Sequence, residues 1–163
     1  MGNIKSVKEA AQKAKELKTK GKKIILAGGC FDILHVGHLK FLQQAKKLGG
    51  VLFILLESDK KIKILKGKNR PINSLKERAL LLSSLSPIDF VILLPFMHEN
   101  QQYDKIVNLI NPDIIAISED DSGLMHKKRQ AENLGIKIKV VTKKIKNRST
   151  TRVSSLVLKE KEL

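Results

Sequence analysis

The stretch GGCFDILHVGH, residues 28–38, decides how this chain is read. It follows an apolar run, Ile24-Ile25-Leu26-Ala27, and leads into residues 38–48, whose apolar side chains recur at helical spacing. A strand, a short glycine-bearing loop and a helix therefore follow one another. Gly28 and Gly29 let the backbone turn sharply and come close to a ligand, because neither has a side chain to block it. The helix points its positive end, with unpaired N–H groups, at the same space, which suits a phosphate. His35 and His38 stand three residues apart across Gly37, so both imidazoles can face one site while Gly37 leaves room for a flat group or a phosphate.

Other readings of these residues are weaker. As a metal pair the histidines would have only Asp32 as a nearby third ligand, whereas catalytic zinc takes three protein ligands. As structural residues at a helix start they would explain neither their pairing nor the two glycines before them. Cys30 has no general base suggested beside it and reads as a small side chain in a turn.

Outward from the loop, strands are expected at 24–27, 51–56, 90–94, 113–117 and 136–141. Helices are expected at 38–48, 75–85, 103–111, 125–134 and from about 151. Gly49, Gly50, Pro87, Pro95, Pro112 and Gly135 punctuate these elements where each should stop. Runs such as VLFILL and FVILL are apolar on both faces, as a parallel sheet covered by helices on both sides requires. The expected fold is therefore α/β, a Rossmann-like, doubly wound, five-stranded parallel sheet. In such sheets ligands bind beyond the carboxyl ends of the strands where the strand order reverses, and the 28–38 loop occupies such an end. Ahead of the first strand, Ser6 and Glu9 form a capping box, and Val7, Ala10, Ala11, Ala14 and Leu17 recur at helical spacing, which predicts a docked helix over 6–20.

The 163 residues are 42% apolar and 29% charged, which suits a single domain spanning 1–163. A chain of this length buries roughly 70% of its unfolded surface, so neither a disulfide nor a metal is needed to fold it. The longest apolar runs fall far short of the roughly 20 residues of a membrane span. Glu9, Glu16 and a preference for lysine over arginine argue against a transit peptide, and no secretory segment precedes the first strand. With Cys30 the single cysteine, no internal disulfide can form; a cytoplasmic location is the expectation.

Lysine and arginine number 32 against 16 acidic residues, a formal charge of +16. Such a surface fits an anionic partner or a merely solvated lysine coat. Specific nucleic-acid binding is disfavoured by scarce stacking residues, with no tryptophan and only Tyr103 among tyrosines.

GGCFDILHVGH, with its His-x-Gly-His core, resembles the signature of the cytidylyltransferase-like nucleotidyltransferases. LKGKNRPIN with Arg78 after it, NPDIIAI, and NRSTTRV resemble the family's further blocks in order. The leading helix, the Cys-Phe-Asp turn and the Arg-Pro-Ile-Asn stretch look most like the adenylyltransferase half of bacterial ADP-heptose synthases. Glycerol-3-phosphate cytidylyltransferase and FMN adenylyltransferase are weaker matches. The resemblance implies attack by an acceptor phosphate on the α-phosphate of a nucleoside triphosphate, ATP ahead of CTP, with pyrophosphate leaving and Mg²⁺ required.

By the same resemblance His35, His38, Lys66 and Arg78 are the catalytic candidates. Gly29, Cys30, Phe31, Gly37, Asp120, Ser149, Thr150 and Thr151 are expected at the nucleotide. Asp32, Arg70 and Asn73 are expected at a sugar-phosphate acceptor, with Asp32 alternatively ordering the turn or helping to hold Mg²⁺. Residues 60–78, rich in lysine and arginine, read as a flexible basic loop able to close over phosphates, with Arg78 presented from the helix that Ser74 and Glu77 cap. Ser149, Thr150 and Thr151 open the last helix, where hydroxyls serve both as caps and as phosphate ligands. Ile117-Ser118-Glu119-Asp120-Asp121 departs from the family's glycine-rich third block, and a metal site, a base reader and a solvated turn all stay open for it. A homodimer is left open as well.

Overall fold

Residues alternately apolar toward two sides can be buried only if both sides are covered, and the computed structural model, which describes residues 2–143, meets that demand with six parallel strands. In chain order the elements are β1 (Ile4–Ser6), α1 (Val7–Thr19), β2 (Ile24–Gly29), α2 (Val36–Lys46), β3 (Val51–Leu56) and α3 (Asp59–Lys66). They continue with α4 (Leu75–Ser83), β4 (Phe90–Leu93), α5 (Asn100–Ile110), β5 (Ile114–Ser118), α6 (Leu124–Leu134) and β6 (Lys137–Thr142).

The strands lie in the order β1-β4-β3-β2-β5-β6, so the chain winds outward in one direction from β2 and then returns to its other side. The order reverses between β2 and β5, which makes the loop after β2 the switch-point loop. Along each central strand successive residues change face. Ile24, Leu26, Phe53, Leu55 and Ile92 pack with α1, α5 and α6. Ile25, Ala27, Leu52, Ile54 and Val91 pack with α2 and α4.

Two expectations are corrected. The sheet has six strands rather than five, because Ile4–Ser6 pairs in parallel with β4 at the edge. The 60–78 segment is not a continuous flexible loop: its first part is α3, which Ser58 caps by accepting the Lys61 N–H and which Ile62 anchors by complete burial. Ser6 caps α1 through the expected box with Glu9. The helix expected from about 151, with Ser149, Thr150 and Thr151, lies outside the described residues.

The two ends of the sheet differ. At the amino end, the carboxylates of Asp89 and Asp113 accept the main-chain N–H groups of Leu52 and Ile24, both at 2.7 Å, and close the edge. At the carboxyl end, β2 and β3 run into the loops that carry most of the candidate residues.

Candidate active site

β2 ends at Gly29, and the turn that follows folds back over it. Phe31 takes φ +44°, an uncommon conformation for a residue with a side chain, and lays its ring across Gly29. A Cβ at Gly29 would stand 3.0 Å from that ring, so the close approach depends on glycine there. The ring is buried against the core and leans on His38 at 5.2 Å between centroids. Phe31 thus forms a floor beneath the histidine pair.

Asp32 fastens the turn. Its side chain is wholly buried. It pairs with Arg70 through one oxygen and accepts the main-chain N–H groups of Ile72 at 2.7 Å and Asn73 at 3.1 Å through the other. Asn73 returns the contact by donating its side-chain amide to the Asp32 carbonyl at 2.7 Å. The three residues expected at the acceptor are therefore together, but Asp32 is occupied in holding the loop before α4 against the loop after β2. Of the roles expected for Asp32, ordering the turn is the one this geometry displays.

His35 and His38 open α2. His35 is the cap residue, and its Nδ1 accepts the N–H of Gly37 at 3.1 Å. His38 reaches back so that its Nδ1 accepts the His35 N–H at 3.4 Å. The rings stack at 3.9 Å with 23° between their planes. With Nδ1 an acceptor in both, the proton of each neutral imidazole sits on Nε2, on the edge away from the backbone. Burial pushes the His38 pKa down to about 4, helped by the neighbouring His35 and by Lys66, so His38 is a neutral donor at physiological pH.

Lys66, in the last turn of α3, is exposed, and its charge acts on both His38 and Cys30. The structure thus gathers Lys66 with the histidines. Burial raises the Cys30 thiol, and Glu57 and Asp32 add to the rise against the opposing charges of Lys66 and Arg78. Cys30 is accordingly a thiol rather than a nucleophilic thiolate at neutral pH.

Arg78 corrects the expectation of a phosphate-binding side chain. It is completely buried. Its guanidinium donates to the carbonyls of Asn73 at 3.1 Å, Cys30 at 2.6 Å and Glu57 at 2.8 Å, and to the Asp59 carboxylate at 2.8 Å. The carboxyl ends of parallel strands leave carbonyls without strand partners, and Arg78 collects those of β2 and β3 together with the start of α3. It points into the fold and organises the crevice from behind.

Asp120 lies exposed in the turn after β5. Its neighbour Asp121 accepts the Gly123 N–H at 2.8 Å and pairs with Lys127 at 2.6 Å, so Asp121 braces the turn ahead of α6. Among the described residues no three His, Cys, Asp or Glu side chains gather as a metal-ligand set.

One cluster escaped the sequence reading. Glu57, the first polar residue after β3, accepts the Tyr103 hydroxyl at 3.0 Å, with Lys61 and Lys127 nearby. A carboxylate directly after the all-apolar run VLFILL was the available signal, since that position falls at the ligand-bearing end of a parallel sheet.

A doubly wound parallel sheet whose switch-point loop brings paired imidazoles to a helix start defines an α/β protein of the class that takes its ligand at this crevice. A family profile described as cytidylyltransferase-like matches residues 26–161, and the chain belongs to that family. The bifunctional protein HldE of a Nitratiruptor species is 42% identical over 120 residues, 74% of this chain and 25% of that protein. Its counterpart in Haemophilus influenzae (strain PittEE) is 38% identical over 117 residues, 72% of this chain and 24% of that protein. The chain spans about a quarter of the length of these curated relatives. Among solved structures, the lipopolysaccharide core biosynthesis protein from Thermoplasma volcanium superposes with a TM-score of 0.61 at 29% identity, covering 78% of this chain and 100% of its own. Pantoate-beta-alanine ligase from Francisella tularensis gives a TM-score of 0.67 at 16% identity, over 99% of this chain and 78% of its own, a likeness of fold.

Proposed function

We propose that the chain is a nucleotidyltransferase that joins the nucleoside monophosphate of a triphosphate to a sugar phosphate, using ATP ahead of CTP and a heptose phosphate ahead of other acceptors. The observation that carries this reading is the stacked His35–His38 pair at the start of α2, in which a backbone N–H occupies Nδ1 of each ring and His38, neutral and half-buried, turns its Nε2–H away from the backbone. Membership of the cytidylyltransferase-like family supports the reaction class, and the HldE relatives support the sugar phosphate.

In the proposed step an acceptor phosphate oxygen forms a bond to the α-phosphorus while the bond from that phosphorus to the bridging oxygen of pyrophosphate breaks. No covalent enzyme intermediate forms. Catalysis then consists of holding two polyanions in line and stabilising charge as it moves onto the leaving group. His38, neutral and half-buried, donates from Nε2 without the cost of keeping a cation there, and His35 stacks beside it at the triphosphate. Lys66 contributes positive charge from α3. Cys30 and Gly29 let the backbone lie close to the nucleotide, and Ser149, Thr150 and Thr151 are proposed to meet the β- and γ-phosphates. The described side chains do not form a resident metal site, so Mg²⁺ is proposed as the counter-ion that arrives on the triphosphate substrate.

The test is pyrophosphate release across a grid of ATP, CTP, GTP and UTP against heptose phosphate, hexose phosphate, glycerol 3-phosphate and FMN. Release with ATP and a sugar phosphate is expected. Turnover confined to CTP with glycerol 3-phosphate, or to FMN, would overturn the acceptor, and no release in any cell of the grid would overturn the reaction class.

A further inference from the structure

Along β3 the side chains of Phe53 and Leu55 pack on the face covered by α1, α5 and α6. The alternation continues past the strand end, and Glu57 meets Tyr103 of α5 on that same face, with the phenol donating to Oε2 at 3.0 Å. The backbone here is fixed, since the Glu57 N–H donates to the Gly29 carbonyl at 3.2 Å and its carbonyl accepts from Arg78.

The side chain is less fully engaged. The ammonium groups that come near it are held elsewhere: Lys61 donates to the Met97 carbonyl at 3.1 Å, and Lys127 pairs with Asp121. Among the described residues no donor is seated on Oε1 of Glu57. A half-buried carboxylate costs desolvation energy, and one phenol offsets little of it unless a ligand completes the set. Burial raises the carboxyl's pKa, with Tyr103, Lys61, Lys127 and Arg78 pulling the other way, so the site is poised to gain from an added donor.

We infer that Glu57 is the hydroxyl-reading residue of the crevice: Tyr103 pins one carboxylate oxygen, and the other accepts a hydrogen bond from a sugar hydroxyl of the ligand. The occupant rests on the nucleotidyltransferase reading, under which hydroxyls come from two sources, the acceptor sugar and the ribose of the nucleotide. A half-buried carboxyl acceptor discriminates a hydroxyl from a hydrogen by about 10- to 100-fold, because the deoxy ligand leaves its oxygen unmatched.

Titration calorimetry on the full chain reads this directly, without depending on turnover. One arm uses mannose 1-phosphate and its 2-, 3- and 4-deoxy analogues; the other uses ATP and its 2′- and 3′-deoxy analogues. Wild-type protein should lose about 10- to 100-fold in affinity for one deoxy member of one series. In Glu57→Met that ratio should fall to within about twofold of unity, with Glu57→Gln and Tyr103→Phe in between. Collapse in the mannose series places the hydroxyl on the acceptor, and collapse in the ATP series places it on the ribose. Affinities for every member of both series that are the same in wild type, Glu57→Met and Glu57→Gln would overturn the inference. Failure of the nucleotidyltransferase reading would show separately, as absent pyrophosphate release.

Discussion

Replacing Arg78 by methionine separates a structural from a ligand-binding role for this residue. The guanidinium is fully buried and makes four hydrogen bonds, three to main-chain carbonyls and one to Asp59. At about 1.5 kcal/mol for each charge-assisted bond, their loss costs about 6 kcal/mol, of which burial of the methionine side chain offsets about 2 kcal/mol. The expected net loss is about 4 kcal/mol, a large part of the roughly 5–15 kcal/mol that holds a single domain together. In a thermal melt this corresponds to about 8–16 °C at this chain length. The measurement is urea denaturation, read as a lower midpoint at unchanged slope, which isolates stability from changes in compactness. Arg78→Lys, which keeps the charge but loses the planar fork, should recover only a minor part of the loss. A loss below about 1 kcal/mol, accompanied by a tenfold or greater rise in KM for the triphosphate, would refute the inward-facing role and return Arg78 to the ligand.

His38→Ala should lower kcat by about 10²-fold while leaving triphosphate affinity within a fewfold, because the donor matters most as charge develops on the leaving group; wild-type turnover in the variant would remove the pair from the mechanism. His38 also sets a pH dependence. Its pKa falls from an ordinary 6.5 to about 4 on folding. The unfolded chain therefore binds the extra proton between those values, and the stability His38 contributes is complete above about 6.5 and drains away as pH falls toward about 4. Denaturation midpoints across that window should slope less in His38→Gln, and an equal slope would contradict the shift. Asp32→Asn leaves Arg70 without its buried partner and should cost about 3 kcal/mol, with a coupling of at least about 2 kcal/mol in a double-mutant cycle against Arg70→Met; additive effects would refute the pairing. Binding to an oligonucleotide, followed by fluorescence anisotropy, should be weak at physiological salt and fall steeply as salt rises, and tight sequence-selective binding there would favour a nucleic-acid role for the +16 surface.

The sheet was legible where its chemistry is local. VLFILL has no polar face, which forces burial on both sides, and the strand observed at Val51–Leu56 coincides with the run. The glycine and proline punctuation placed the ends of α5 and α6 within a residue or two of the observed Ile110 and Leu134. β1 was missed because a three-residue edge strand carries too few alternations to register as a pattern, and its pairing with Val91–Leu93 is set by a partner more than eighty residues away. α3 was missed because its lysines outnumber its apolar residues. Its cap at Ser58 and a single buried Ile62 are what fix it, and they become visible only once β3 has delivered the chain to the sheet's carboxyl end.

The site divides along the same line. His35 and His38 meet because three residues at a helix start cannot place them elsewhere, so spacing alone predicted a pair, and the structure adds which nitrogen each keeps for bonding. Asp32, Arg70 and Asn73 were expected together for a different reason, as ligands of a common acceptor, and they are together because a buried carboxylate must collect its donors from wherever the fold can bring them. Charge pattern showed that residues 60–78 are basic but held no information on direction. Lys66 points to solvent near His38, whereas Arg78, twelve residues on, is drawn inward by carbonyls at the ends of β2 and β3 that only the completed sheet leaves unpaired. The direction of a basic side chain beside a phosphate crevice is thus decided by where unsatisfied acceptors lie. On that ground the cations facing the ligand are to be sought on α3 rather than α4, and Lys66→Ala should weaken triphosphate binding at a thermal midpoint that stays within about 2 °C of wild type.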